Sequence, residues 1–209
     1  AARGPLLLAP AMDAGMFEHP ATQANLAVLR GRGAIVLGPA EGRMASGLVG
    51  LGRLLEPEEI LGFLRLTLGR GGPLAGRTAI VTAGGTQEPI DPVRIIANRS
   101  SGRQGFALAQ AALDRGASVT LISGPSALAT PFGAERLDVA TAAEMQQAVL
   151  SRLEATDILL MAAAVADFRA EPAEQKIKRA KGELALTLRP TEDILGLVAQ
   201  RRKKGSRPS

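Results

Sequence analysis

The sequence predicts an α/β protein built on a parallel sheet. Two observations carry this. Apolar runs such as "AIVTA" (79–83) and "ILLMAAAVA" (158–166) are continuous, as in strands buried on both faces. Stretches with helical periodicity alternate with those runs, which implies helices on both faces of the sheet.

In chain order, "PLLLAPAM" (5–12) reads as a buried strand. "ATQANLAVLRGRG" (21–33) reads as a helix, with Ala21, Leu26 and Leu29 near one face and Gly31 or Gly33 ending it. "AIVLGP" (34–39) is a second strand. "EPEEILGFLRLTL" (56–68) is a helix whose first turn holds Glu58 and Glu59, where the helix dipole favours them. The glycine-rich "LGRGGPLAGR" (68–77) reads as a linker and puts a domain boundary near 72, giving domains 1–72 and 73–209. Beyond it, "RTAIVTAGG" (77–85) is a strand entering a glycine turn. "GRQGFALAQAALDRG" (102–116) is a helix with Phe106, Ala109 and Leu113 on one stripe and Gly116 as its stop. "ASVTLISGP" (117–125) is a strand. "TAAEMQQAVLSRLE" (141–154) is a helix opened by a Thr141–Glu144 capping box. "TDILLMAAAVAD" (156–167) is the last buried strand. The chain ends in a basic tail, "QRRKKGSRPS" (200–209).

Composition narrows the function classes. With no cysteine, disulfides, thiolate metal sites and thiol nucleophiles are excluded. With His19 as the one histidine, a His-based zinc site is not expected. The net charge of +5 favours anionic ligands. Trp and Tyr are absent and only five Phe occur, so a base-stacking surface for nucleic acid is not expected. No apolar run has the length of a bilayer span, and no signal pattern opens the chain, so a cytoplasmic protein without a membrane partner is expected. "NRS" (98–100) is then not a glycosylation site.

Ligands in parallel α/β folds bind outside the carboxyl ends of the strands. Gly84-Gly85 end one strand, and "TQEPIDPVRIIANRS" (86–100) intervenes before Ser100-Ser101-Gly102 open the next helix. A helix mouth suits phosphate; the competing reading is that a serine there caps the helix. Asp167 stands just past a strand end, as a ligand contact or a turn residue. In "QKIKR" (175–179) period-two alternation puts Lys176 and Lys178 on one face and Ile177 on the other. "ELALTLR" (183–189) alternates likewise through Leu184, Leu186 and Leu188, with a hairpin turn at Lys181-Gly182. A lysine-protected sheet edge is the alternative there. His19 beside Pro20 reads as a structural residue at a helix start.

From Leu74 to about Leu195 the chain resembles the ligase half of the bifunctional coenzyme A biosynthesis flavoproteins, the phosphopantothenoylcysteine synthetase/decarboxylases. The resemblance rests on "TAGGTQEPIDPVRIIANRSSGRQG", "VTLISGP", "AAAVADFR", "KIKR" and "PTEDIL". Residues 1 to about 68 resemble the end of the decarboxylase half, through "APAMDAGMFEHPATQANL" and "EGRMASGLVGLGRLLEPEEI". It implies a Rossmann-like ligase part preceded by a partial flavodoxin-like flavoprotein segment. It also implies a piece spanning the junction of two halves, with parts of each lying outside residues 1–209.

The resemblance implies CTP-dependent joining of 4'-phosphopantothenate to cysteine with Mg2+, through an acyl-cytidylate. By position, Asn98 matches the asparagine of the acyl-cytidylate step, and Lys176 the lysine that meets the triphosphate. Gly84 and Ser100 fall at the phosphate-binding mouth. Met161, Ala162, Ala163 and Asp167 match the nucleotide-contacting strand end, and Glu192, Asp193, Ile194 and Leu195 a second nucleotide contact. On the decarboxylase side, whose family members use FMN, Met12, Asp13 and Met16 fall in the substrate loop. Family members commonly read "PAMN..MW" there, whereas Asp13 and Phe17 replace Asn and Trp. Ser46 stands where the family has its proton-donor cysteine. The family also implies a homo-oligomer. Two rival readings stay open: an NAD(P)-dependent oxidoreductase, which lacks its G-x-G-x-x-G here, and a non-catalytic fragment.

Overall fold

A computed structural model describes residues 4–178 and 183–204. The chain packs as two compact units, Ala1–Gly69 and Arg70–Ser209.

In the first unit, β1 (Leu7–Leu8) pairs in parallel with β2 (Ile35–Val36). Between them run α1 (Ala14–Glu18) and α2 (Pro20–Gly31). Pro20 sits in the first turn of α2, and His19 Nδ1 accepts from the Ala21 N–H 3.2 Å away. The lone histidine is therefore a helix cap. β3 (Ala40–Arg43) and β4 (Val49–Arg53) form an antiparallel hairpin, followed by α3 (Pro57–Gly69). The two expected strands shrink to two residues each. Pro5, Pro10 and Pro39 flank them, and a proline cannot donate to a ladder.

The second unit starts with β5 (Thr78–Ala83) and a small hairpin, β6 (Gln87–Pro89) with β7 (Ile95–Ala97). Then come α4 (Arg103–Leu113), β8 (Ser118–Ser123), β9 (Glu135–Asp138), α5 (Ala142–Arg152) and β10 (Ile158–Met161). β11 (Phe168–Ala170) pairs antiparallel with β12 (Leu188–Pro190), and α6 (Ile194–Lys204) follows. The main sheet is parallel throughout, in the order β10-β5-β8-β9.

Strand parity decides which helix meets which face. Ile80 and Ile122 join Met145 and Val149 of α5 and Ile194 and Val198 of α6 in one core. Ala83, of opposite parity to Ile80, meets α4 instead. There the helix lies so close that a Cβ on Gly105 would stand 2.5 Å from the Ala83 Cβ. Helices thus cover both faces, which makes this unit Rossmann-like. At the mouth of α5, Thr141 Oγ1 accepts from Glu144 N, and Glu144 reaches back to Ala140 N. Buried Glu88 of β6 also accepts from Ala142 N at 2.8 Å, which fastens the hairpin to this helix.

Two expectations change. Helix α4 starts at Arg103, and its cap is Gly102 in the left-handed region (φ 72°) without a side-chain cap bond. The serines before it make short local turns instead: Ser100 Oγ accepts from Gly102 N, and Ser101 Oγ from Arg103 N. The second change is at "QKIKR": residues 175–178 form no strand, although the alternation survives, with Lys176 and Lys178 exposed and Ile177 half-buried. Of "ELALTLR" only Leu188 and Arg189 enter a strand. The turn expected at Lys181-Gly182 lies outside the described residues.

Candidate functional site

The carboxyl ends of β5, β8 and β10 converge with the mouth of α4. Gly84 turns the chain at the end of β5 with φ +77°, and a Cβ on Gly124 would stand 2.4 Å from the Gly85 carbonyl oxygen. Only bare backbone fits between these two strand ends.

Two buried threonines zip the segment after β10 onto β5. Thr82 Oγ1 accepts from Ala162 N (3.1 Å) and Ala163 N (3.2 Å). Thr86 Oγ1 accepts from Ala166 N at 2.9 Å, and Gly84 O from Ala164 N at 2.7 Å. Met161, Ala162 and Ala163 are half-buried, and Asp167 is exposed at the end of this segment. Neither threonine stood out in the sequence. Thr82 has the parity of Ile80, and that alternation was the signal available.

Asn98, one residue past β7, reaches the same segment: its Nδ2 donates to Val165 O at 3.1 Å. The amide has two hydrogens, and this bond uses one. Thr191 closes the other side, donating its N–H to Asp167 O (2.9 Å) and its hydroxyl to Ala166 O (2.6 Å). That places Glu192 and Asp193 beside Asp167. Asp193 Oδ1 accepts from Gly196 N and so caps α6. Ile194 points into the core, while Leu195 is exposed; any ligand contact from Ile194 would use its backbone.

Lys176 lies on a strap held by an acid absent from the sequence reading. Asp91 is buried in the turn of the β6–β7 hairpin. Its Oδ1 accepts from Val93 N and Arg94 N, both at 2.8 Å; its Oδ2 accepts from Ile177 N at 3.1 Å and pairs with the Arg94 guanidinium. Burial pushes its pKa up, but these four donors outweigh it and hold the carboxyl down at about 2. No ion pair engages Lys176 or Lys178 among the described residues. Among the described residues no group of three His, Cys, Asp or Glu could hold a metal ion.

In the first unit a cleft of about 360 Å³ is lined by Met12, Asp13, Arg43, Met44, Ser46 and Arg53, among others. Asp13 occupies the cap position of α1 yet makes no cap bond. Its Oδ1 accepts from Ser46 Oγ at 2.5 Å instead. Two of the three departures from the family pattern, Asp13 and Ser46, are therefore bonded to each other. Met16 is exposed on α1 and does not line this cleft. No helix among the described residues is long and apolar enough to cross a membrane.

Comparison with known proteins finds relatives along the whole chain. The chain is 49% identical to the coenzyme A biosynthesis bifunctional protein CoaBC of Mycobacterium tuberculosis (strain ATCC 25618 / H37Rv), over all of this chain and 51% of that protein. It is 44% identical to the CoaBC of Bacillus subtilis (strain 168), over 98% of this chain and 51% of that one. The chain thus spans about half the length of the curated relatives it matches. The crystal structure of the C-terminal domain of a CoaBC superposes with a TM-score of 0.52 at 37% identity, covering 60% of this chain and 59% of that one. Residues 1–69 match the flavoprotein family. Residues 74–207, which hold the strand ends, Asn98 and the lysine strap, match the DNA/pantothenate metabolism flavoprotein C-terminal domain, and it is to this family that the chain belongs.

Proposed function

We propose that residues 74–207 form the nucleotide-activating part of a phosphopantothenate–cysteine ligase, an enzyme of coenzyme A biosynthesis in the cytoplasm that works as a homo-oligomer. One observation carries this reading. The β6–β7 hairpin holds Asn98 against the strand-end segment Met161–Asp167 and holds the Lys176 strap at its turn. Arg94 and Asn98 flank a three-residue strand and are four residues apart, which at about 3.4 Å per residue spans roughly 14 Å, a reach suited to a nucleoside triphosphate.

In the first step the carboxylate of 4'-phosphopantothenate attacks the α-phosphorus of CTP. The P–O bond to the β-phosphate breaks and pyrophosphate leaves. In the second step the cysteine amine attacks the acyl carbon, CMP leaves with the bonding pair, and the amine gives up a proton. Lys176 offsets phosphate charge in the first step. The free N–H of Asn98 meets the acyl oxygen as charge develops in the second. Gly84, Ser100 and the α4 mouth face the phosphates, and Mg2+ enters on the triphosphate.

Titration calorimetry of the 209-residue chain with CTP, ATP and NADP tests the reading. CTP is expected to bind tightest, and tighter NADP binding would overturn it in favour of an oxidoreductase.

FMN chemistry belongs to the decarboxylase side of the relatives, and neither the α2 nor the α3 mouth suits the flavin's phosphate. The mouth of α2 is capped by His19 and opened by Pro20, and α3 carries Glu58 and Glu59 in its first turn. His19 takes up one N–H of α2 and Pro20 supplies none, while the two glutamates oppose an anion at α3. The purified 209-residue chain is accordingly expected to carry well under one FMN per chain. A stoichiometric flavin absorbance spectrum would refute this.

A further inference from the structure

We propose that Asp91 is a positioning residue that sets where Lys176 and Lys178 stand and so gives the chain a polyphosphate-holding strap. This rests on the ligase reading for the identity of the nucleotide, but not for the tether itself.

The strap is pinned by the backbone on both sides of one residue. Ile177 N donates to Asp91 Oδ2 (3.1 Å), and Ile177 O accepts from Arg94 Nη1 (3.1 Å). Ala173 N donates to Ile90 O at 2.9 Å, a second tie to the same hairpin turn. Fixing Ile177 with its side chain half-buried turns the side chains on either side outward. Asp91 pairs with Arg94, so its charge is satisfied internally and does not draw the lysines onto the protein. A buried carboxylate with four donors is rigid, and long flexible lysine stems gain most from a fixed backbone. The hairpin that carries Asp91 also ends at Asn98, so one element sets the spacing of both groups.

The test uses the 209-residue chain with inorganic triphosphate and with CTP as probes, followed by calorimetry, and with hydrogen exchange at the Ile177 amide. Asp91→Asn turns an amide N–H toward Ile177 N and Arg94, so the strap should be released. Ile177→Pro removes the strap's donor while keeping the Asp91 carboxylate and its three donors from Val93 and Arg94, which separates tether loss from collapse of the hairpin turn. Both variants are expected to weaken triphosphate binding about tenfold. In a Lys176→Gln background Asp91→Asn is expected to add little, because the two act through one contact. In Asp91→Asn the Ile177 amide should lose protection while the Leu121 amide in β8 keeps its own. Unchanged triphosphate affinity in both variants, unchanged Ile177 protection, fully additive losses, or a wild-type chain that does not bind triphosphate would each overturn the proposal. Triphosphate loss as expected, with CTP bound no better than ATP, would instead sink the CTP reading and leave the tether standing.

Discussion

Asn98→Asp, in the complete enzyme carrying this chain, is expected to let pyrophosphate form and then stall at the acyl-cytidylate. Overall turnover should fall by about 10²–10³-fold, the usual cost of removing one preorganised donor from a developing oxyanion. The present amide gives one hydrogen to Val165 O, and the second is the donor assigned to substrate in the proposed reading. An aspartate of the same size has neither and sets a negative oxygen against both the Val165 carbonyl and the acyl oxygen. Asn98 is exposed, so loss of its single bond costs about 1 kcal/mol of stability and the fold persists. Lys176→Gln should fail earlier, with CTP affinity down roughly ten- to a hundredfold and pyrophosphate slow to appear. Rapid-quench analysis with labelled CTP, with and without cysteine, separates the two patterns. Normal turnover in Asn98→Asp, or failure before pyrophosphate appears, would remove Asn98 from the amide-forming step.

The parts of this site that the sequence disclosed are those built from long periodic elements. β5, α4, β8, α5 and β10 each carry enough apolar residues at one spacing to declare themselves, and their order fixes where the strand ends meet. The hairpins were hidden. In β3 and β4 glycines at 42, 50 and 52 blur the alternation that marks a strand. In "EPIDPVRI" two prolines argue against a strand, yet Pro89 ends β6 and Pro92 lies in the turn, where a ladder donor is not needed. Asp91 was overlooked with that segment, because its donors include one 86 residues away. Gly102 displaced the serines as helix cap because the close backbone approach to Gly84 leaves a Cβ at that position only 3.2 Å from Gly84 N.

The Asp13–Ser46 contact, 33 residues apart in the chain, carries the second large effect. In the complete enzyme, Asp13→Asn with Ser46→Cys is expected to raise decarboxylation of phosphopantothenoylcysteine by about 10²–10⁴-fold, the range spanned by a well-placed general acid. Neither single change should do this. Ser46→Cys alone would set a thiol against the Asp13 carboxylate, where a like charge raises the thiol pKa and the S–H points at Asp13 instead of substrate. Asp13→Asn alone would release Ser46, but a hydroxyl remains a far weaker acid than a thiol, whose ordinary pKa is about 8.5. The two positions should therefore be strongly non-additive, as residues sharing a hydrogen bond are. Carbon dioxide release measured for the wild type, both singles and the double gives the coupling directly. If the singles account for the double, the Asp13–Ser46 bond does not govern proton delivery. If the wild type already matches the double, the bonded pair is itself a competent proton donor, and its replacement of the family's asparagine and cysteine is a working alternative.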